Sequence, residues 1–151
     1  MRISATGSER GFTLVELMVV MSIIAVASAA VLFSLPDEGR TLRDSAERFA
    51  AQAATLRDAA VMDASVKAIR LDPGGYHFEH FTDGRWVATN DKPFRAVSWP
   101  DGVRARIAPV SEARIRFDAT GLADPSTLSL SMDGKQASVM IDAGGEIHLG
   151  Q

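Results

Sequence analysis

The chain begins with a short polar segment and continues into a long run that carries no charge. Residues 17–36 are twenty positions without a charged side chain. An α-helix of that length spans about 30 Å, which matches the hydrocarbon core of a bilayer. Its large apolar side chains point in all directions around the axis, and small residues at 25 and 27–30 would let another helix approach closely. The pattern therefore predicts a helix surrounded by lipid or by other helices.

A second helical pattern follows a break in the apolar run. Proline removes a helix hydrogen bond and glycine weakens a helix, so Pro36 and Gly39 predict a kink or a short interruption. Thr41 and Asp44 resemble a capping box, which predicts a new helix over about residues 41–63. Apolar residues then recur at alternating intervals of four and three, the spacing of one helical face. They are Leu42, Ala46, Phe49, Ala53, Leu56 and Ala60.

Beyond residue 64 the pattern changes to short alternating runs separated by turn residues, which predicts β-strands. The turns contain Asp-Gly, Gly-Gly and Pro-Asp-Gly sequences, which supply turn geometry. The candidate strands are residues 66–71, 76–81, 85–89, 95–99, 103–108, 114–117, 128–132, 137–141 and 146–149. One helix followed by a series of antiparallel strands is an α+β arrangement. We therefore expect one domain over residues 37–151, with a helix lying against a β body at about 66–149.

Composition and charge exclude several classes of site. The 151 residues include no cysteine, which excludes disulfides and thiolate metal centres. A net charge of −3 implies no general attraction to nucleic acid. His77 and His80 lie three apart in a predicted strand and face opposite sides, which argues against a shared metal site. The Asp-Gly pairs suit hairpin turns better than calcium ligation, and no nucleophile–base arrangement is visible. We expect no enzyme activity, no cofactor and no metal.

The residues before the apolar run place a charge in an unusual position. Arg2 and Arg10 favour a cytoplasmic amino-terminal flank, with the rest of the chain across the membrane. Glu16 lies between this basic flank and the apolar run. A carboxylate at the centre of a membrane helix costs about 2.5–3.5 kcal/mol. Glu16 therefore requires a partner if its helix enters a membrane.

Three simpler interpretations compete for this region. A secretory signal peptide would be removed after a small-x-small site, which Ala25-Val26-Ala27 or Ala27-Ser28-Ala29 would provide. A plain membrane anchor is the second interpretation. A buried core helix is the third, and the uniform apolar run argues against it.

Residues 10–17 read Arg-Gly-Phe-Thr-Leu-Val-Glu-Leu and resemble the processing site of the type IV pilin and pseudopilin superfamily. The resemblance implies that a prepilin peptidase cuts between Gly11 and Phe12 on the cytoplasmic face of the bacterial inner membrane. It also implies methylation of the new amino terminus at Phe12. The eleven residues before the cut, 1–11, would be a leader peptide.

The same resemblance implies an assembly role for Glu16. Residues 12–36 would form a single transmembrane helix that also packs against the helices of other subunits. In such a bundle, Glu16 of one subunit would pair with the free α-amino group of Phe12 on another. A charge left without its partner in a low-dielectric bundle is strongly destabilising, so the contact would set the register between subunits.

The β body resembles the H-type minor pseudopilins of type II secretion, the GspH/FimT domain. The likeness covers roughly residues 46–149 and rests on short segments at 76–78, 83–86, 100–103, 115–117 with Gly121, and 145–147. It implies a pilin-like fold, in which a long amino-terminal helix is the spine under an antiparallel sheet, and a periplasmic location for residues 37–151. The implied role is structural: a subunit of the pseudopilus that drives protein export across the outer membrane. The implied partners are the prepilin peptidase, other major and minor pseudopilins and the inner-membrane assembly platform.

Four arginines alternate with apolar residues on two predicted strands: Arg104, Arg106, Arg114 and Arg116. If these strands are neighbours, their outward faces form a basic patch that docks a partner subunit or contacts nucleic acid. A solvated face balanced by nearby acids is the plainer interpretation.

The arginine cluster keeps a second function open, that of a FimT-like minor pilin of a type IV pilus serving DNA uptake. The last six residues, Glu-Ile-His-Leu-Gly-Gln, are not basic and argue against a DNA contact there. A membrane-anchored periplasmic enzyme or binding protein is a third class, which the missing catalytic groups disfavour.

Overall fold

The computed structural model describes residues 13–34, 38–109 and 113–150. The chain divides into two compact units, Met1–Pro36 and Asp37–Gln151. Within the described residues, the first unit contains one helix, and the second contains one helix and nine strands. The break predicted at Pro36 lies outside the described residues.

Helix α1 comprises Leu14–Ser34. It coincides with most of the uncharged run, and Glu16 is the one acidic residue in its first turn. The hydroxyl of Ser22 donates to the carbonyl of Met18 at 2.8 Å, which satisfies this polar group inside an otherwise apolar stretch. Within the described residues, no helix reaches the combination of length and hydropathy that a membrane crossing requires.

Helix α2 comprises Glu38–Met62, so it begins three residues before the predicted capping box. The prediction that a capping box at Thr41 starts the helix is therefore wrong. Thr41 lies within the helix, and its carbonyl accepts a 2.7 Å hydrogen bond from the hydroxyl of Ser45. The predicted apolar face is confirmed, because every one of its six residues is at most 2% exposed. The alanines on this face allow sheet residues to pack closely against the helix.

All nine predicted strands are present, with ends displaced by up to two residues. They are β1 (Lys67–Asp72), β2 (Gly75–Thr82), β3 (Arg85–Thr89), β4 (Val97–Ser98), β5 (Arg104–Ala108), β6 (Arg114–Phe117), β7 (Ser126–Met132), β8 (Lys135–Ile141) and β9 (Ile147–Gly150). A five-stranded sheet has the order β3-β2-β1-β6, with β4 pairing to β2. A four-stranded sheet has the order β5-β7-β8-β9, and all pairs are antiparallel.

The proposed pairing of the two arginine-bearing strands is wrong. Strand β5 pairs with β7 in the four-stranded sheet, whereas β6 pairs with β1 in the five-stranded sheet. In both strands the side chains alternate between a more buried and a more exposed face, as the sequence predicts, and the arginines lie on the more exposed face. Alternation determines which face of a sheet a side chain occupies, but it does not determine which strand lies alongside.

The core lies between α2 and the inner faces of both sheets. Fully buried side chains come from the helix and from strands of each sheet, including Phe49, Phe78, Phe117, Leu130 and Val139. Tyr76 connects several aromatic rings: its centroid is 5.1 Å from that of Phe49 and 4.9 Å from that of Trp99. Edge-on and tilted aromatic pairs at these distances are favourable. The predicted α+β architecture, with a helix packed against antiparallel strands, is confirmed.

Candidate functional site

The first turn of α1 is held by a threonine cap. The hydroxyl of Thr13 accepts a 3.2 Å hydrogen bond from the backbone amide of Glu16, and the Thr13 carbonyl accepts one of 3.2 Å from Leu17. Thr13 is therefore the N-cap and Glu16 the third helical residue, the spacing of a capping box. A carboxylate in the first turn also interacts favourably with the positive end of the helix dipole. An acidic residue at position 16 therefore stabilises the start of the helix, in addition to any role that the processing motif implies for it.

The described large apolar side chains of α1 are exposed. From Leu14 to Val26, every large hydrophobic side chain is between 44% and 76% exposed. Isolated exposed hydrophobic residues are ordinary, but a continuous apolar patch of this kind marks an interface or a membrane contact. Gly11 and Phe12, the proposed cleavage residues, lie outside the described residues.

Arg114 takes part in an ion pair on the outer face of the five-stranded sheet. Its Nε lies 2.9 Å from Oε2 of Glu79, and the two side chains are only 15% and 10% exposed. The pair spans three strands, because β1 lies between β6 and β2. On β1, Ala68 is directly opposite Glu79 and is fully buried. The small alanine side chain leaves room for the arginine to reach across.

Aromatic and histidine side chains surround this ion pair. The guanidinium carbon of Arg114 lies 4.7 Å from the ring centroid of Trp86, a cation–π distance. His77 lies with Nε2 3.6 Å from Oε1 of Glu79 and Nδ1 3.8 Å from Oδ2 of Asp72. Arg114 is therefore engaged within its own sheet and does not contribute a free charge to a docking patch.

The other three arginines of the predicted patch lie in different settings. Arg116 pairs with Asp124 at 3.2 Å, and both side chains are about half exposed. Arg104 and Arg106 are exposed on β5, in the other sheet, and form no ion pair within the described residues. The structure thus separates the four arginines into two pairs. Of these four arginines, the two on β5 are the ones without an ion pair to a described residue.

Gly121 and Gly145, which belong to the short segments that carry the resemblance of the β body to the H-type pseudopilins, pack against α2. Gly145 has φ of 78° and Gly121 has φ of 88°. A Cβ at Gly145 would lie 2.1 Å from the carbonyl oxygen of Gly121 and 3.1 Å from Cδ of Arg57. Arg57 in turn donates from Nη1 to the carbonyl of Gly145 at 3.1 Å. The turn before β9 therefore approaches the backbone of Gly121 more closely than a side chain would permit, and it lies against Arg57 of α2.

Tyr76 places a hydroxyl in the core beside α2. Its hydroxyl donates a short hydrogen bond to Oε1 of Gln52. Burial raises the pKa of Tyr76 to about 12, and the positive charge of Arg48 acts in the opposite direction. Tyr76 is one of the residues in the first family-like segment, and its role in the structure is to join the five-stranded sheet to the helix.

A cluster that the sequence analysis did not identify lies at the turn before β9. Ligand atoms of Asp142, Glu146 and His148 all lie within 4.8 Å of one another. The backbone amide of Glu146 donates to Oδ1 of Asp142 at 2.9 Å and lowers the pKa of that carboxyl. In the sequence, Asp142 lies four residues before Glu146 and six before His148, and this spacing was the signal that could have indicated the cluster. The three side chains come together only because the Gly-Gly turn lies between Asp142 and Glu146.

Two family models match separate parts of the chain. Residues 7–32 match the prokaryotic N-terminal methylation motif. Residues 45–145 match the family described as Type II transport protein GspH. The second match covers about two thirds of the chain and includes most of α2 and the strands β1 to β8.

A curated relative is similar in sequence. The "Type II secretion system protein H" of Pseudomonas aeruginosa is 34% identical over 98 residues, which are 62% of this chain and 57% of that protein. The match therefore spans little more than half of the relative's length.

Solved structures share the fold at low sequence identity. The minor pseudopilin EpsH from the Type 2 Secretion System of Vibrio cholerae has a TM-score of 0.62 at 21% identity, over 72% of this chain and 95% of that one. E. coli GspH has a TM-score of 0.63 at 14% identity, over 74% and 89%. The type IV minor pilin FimU of P. aeruginosa has a TM-score of 0.60 at 18% identity, over 73% and 88%. The match over residues 45–145 shows that this chain belongs to the GspH family of type II transport proteins.

Proposed function

We propose that this chain is a minor pseudopilin, a structural subunit of the pseudopilus of a type II secretion system. The observation that carries the proposal is the presence of both matches in one chain, a methylation motif at residues 7–32 and a GspH body at residues 45–145. The similarity to the P. aeruginosa secretion protein supports the same role. The subunit acts through packing rather than through chemistry.

The amino terminus is processed before assembly. A prepilin peptidase removes the leader, residues 1–11, by cutting between Gly11 and Phe12, and the new amino terminus at Phe12 is N-methylated. Residues 12–36 anchor the precursor in the bacterial inner membrane and later pack in the core of the pseudopilus. Residues 37–151 lie in the periplasm. The exposed apolar surface of α1 supports this placement, because it requires lipid or neighbouring helices as a partner.

Glu16 pairs with the α-amino group of Phe12 on a neighbouring subunit. The helix dipole stabilises a carboxylate in the first turn by about 0.3–1 kcal/mol. A carboxylate that is surrounded by apolar helices and left without a cation is strongly destabilising, and the helix dipole offsets only a small part of that cost. A cationic partner for Glu16 is therefore favoured once neighbouring helices surround it. The new amino terminus is a cation created at the right end of the helix by the cleavage itself.

The partners of this subunit are the prepilin peptidase, the other major and minor pseudopilins and the inner-membrane assembly platform. The periplasmic body supplies lateral contacts, and α1 supplies axial contacts through helix packing. The position near the tip of the filament, with other minor pseudopilins, follows from the family resemblance.

Deletion of the gene in its own bacterium tests the function. We expect loss of proteins normally exported to the medium, with accumulation in the periplasm, and recovery when the intact gene is returned. A tagged Gly11→Val variant should remain at precursor size and fail to restore export, because the peptidase cleft requires glycine before the cut. Normal maturation of that variant would refute the processing step without affecting the proposed export role.

A minor pilin of a type IV pilus is the second candidate function. The similarity in fold to the minor pilin FimU favours keeping it. The same deletion strain distinguishes the two: loss of surface pili or of DNA uptake with unchanged export would overturn the secretion role and support the pilus role.

A further inference from the structure

Strand β5 is an open edge of the four-stranded sheet. It pairs with β7 on one side. Within the described residues, no backbone hydrogen bond joins its other side to any strand. An unpaired strand edge presents alternating N–H and C=O groups that can accept a further strand. The edge is five residues long, from Arg104 to Ala108, enough for several such bonds.

The two faces beside this edge differ in chemistry. On the outer face, Arg104 and Arg106 are exposed, and their partners across the β5–β7 pairing are Ser131 and Ser129 rather than acids. On the inner face, Ala105 and Ile107 are half-buried. A strand added to β5 would place alternate side chains beside the arginines and the intervening ones beside the apolar pair.

The inner face continues into a mostly apolar groove. Leu71 and Asp72 at the end of β1, Pro73 just after it, and Ala113 line a cavity of about 230 Å³ with Ala105 and Ile107. The groove therefore lies between β5, at the edge of the four-stranded sheet, and the end of β1, which belongs to the five-stranded sheet. Inward-facing aliphatic side chains of an added strand would enter it and be removed from water.

We propose that β5 binds an extended segment of a partner protein by strand addition, and that this segment alternates acidic with apolar residues. The acidic residues pair with Arg104 and Arg106, and the apolar residues occupy the groove. A second copy of β5 is not the occupant, because two such edges would bring arginines of like charge together. The proposal concerns recognition by the folded body and does not depend on assembly into a pseudopilus.

Binding of short synthetic peptides to the full chain in detergent micelles tests this. One labelled peptide alternates glutamate with valine, a second alternates lysine with valine, and a third has the composition of the first with its glutamates grouped together. Fluorescence anisotropy should show saturable, salt-sensitive binding of the first. The second should bind about tenfold more weakly, because two attractive exposed pairs become repulsive. The third should bind weakly because it cannot match both faces. Micelles without protein are the blank.

A charge-reversed protein makes the test specific to β5. The double variant Arg104→Glu with Arg106→Glu should prefer the lysine peptide over the glutamate peptide. Arg85→Glu, at an exposed position on β3 of the other sheet, is the matched control and should keep the original preference. Amide hydrogen exchange should slow at residues 104–108 when the glutamate peptide binds. Equal binding of all three peptides, an unchanged preference in the double variant, or exchange protection elsewhere would overturn the proposal.

Discussion

Arg57 in α2 donates a 3.1 Å hydrogen bond from Nη1 to the carbonyl of Gly145, eighty-eight positions later in the chain. The aliphatic part of the same side chain lies against the space that a Cβ at Gly145 would need. The bond and the contact together attach the turn before β9 to the helix. Because β9 is an edge strand of the four-stranded sheet, this attachment also defines where that sheet ends.

Gly145→Ala is expected to lower the free energy of unfolding by about 2–4 kcal/mol. The new Cβ would meet the carbonyl oxygen of Gly121 at 2.1 Å, and the residue has φ of 78°. Urea unfolding followed by circular dichroism measures the change. Gly134→Ala is the matched control, since Gly134 has φ of 83° but no atom lies within 4 Å of the position that its Cβ would take. It should lose only about 1–2 kcal/mol, the cost of the left-handed backbone. Equal losses in both variants would show that the contact with Gly121 is unimportant.

Arg114→Ala and Arg116→Ala should differ in stability although both residues lie on β6. Arg114 forms the nearly buried pair with Glu79, so its removal leaves a carboxylate without its cation and should cost about 2–4 kcal/mol. Arg116 forms a half-exposed pair with Asp124, so its removal should cost less than about 1 kcal/mol. Denaturant midpoints of the two variants measure the difference. Adding Glu79→Gln should recover part of the loss in the first variant only, and no recovery would contradict the assigned partner.

Tyr76 should titrate well above an ordinary tyrosine. It is the single tyrosine of the chain, so the ultraviolet absorbance of tyrosinate reports this group alone. Because burial raises its pKa from 10.0 to about 12, the folded protein should keep the phenol protonated at a pH where the urea-unfolded protein has lost the proton. A folded-state midpoint near 10 would contradict the buried position of the hydroxyl.

The same shift predicts a loss of stability at alkaline pH. Between pH 10 and about 12 the unfolded chain binds fewer protons at this residue than the folded chain, so the free energy of unfolding decreases as pH rises. Below pH 10 the buried Tyr76 contributes its full stabilising free energy. Tyr76→Phe removes the titrating group, so the difference in the free energy of unfolding between wild type and this variant should decrease between pH 10 and about 12. A constant difference would show that Tyr76 does not titrate differently in the two states.

Glu16→Ala should be processed normally and enter pseudopili poorly. The peptidase site remains intact, whereas the α-amino group of the neighbouring subunit loses its proposed partner. Sheared filaments probed with an antibody against an epitope tag measure incorporation. Thr13→Ala is the matched control, because it removes the N-cap hydroxyl and weakens the helix start by about 1 kcal/mol while keeping the carboxylate. Wild-type incorporation of Glu16→Ala would refute the pairing, and equal defects in both variants would assign the effect to the helix start.

Features that depend on neighbours in sequence were predictable. The nine strands and the buried stripe of α2, from Leu42 to Ala60, follow from periodicity and turn residues, which are local signals. The methylation motif is a local signal as well, and its match is confirmed over residues 7–32. The start of α2 was misplaced because Gly39 is tolerated near a helix end, where a break was expected.

Features that depend on long-range pairing were not predictable from the pattern. Arg106 and Arg114 are eight residues apart, yet their strands belong to different sheets. The partner of Arg114 is Glu79, thirty-five positions away, and nothing in the alternation indicates it. The cluster of Asp142, Glu146 and His148 likewise depends on the conformation of a turn rather than on the spacing of its members.

The threonine cap of α1 lies entirely beyond the proposed cleavage site. The groups that hold the first turn are the hydroxyl and carbonyl of Thr13 and the amides of Glu16 and Leu17. All of them lie after the bond between Gly11 and Phe12, so cutting that bond removes none of them. A precursor and a chain cut at the proposed site would therefore begin this helix at the same residue. The proposed cut would place a new α-amino group near the helix start without altering the contacts that hold its first turn, so the subunit would not need to refold before assembly.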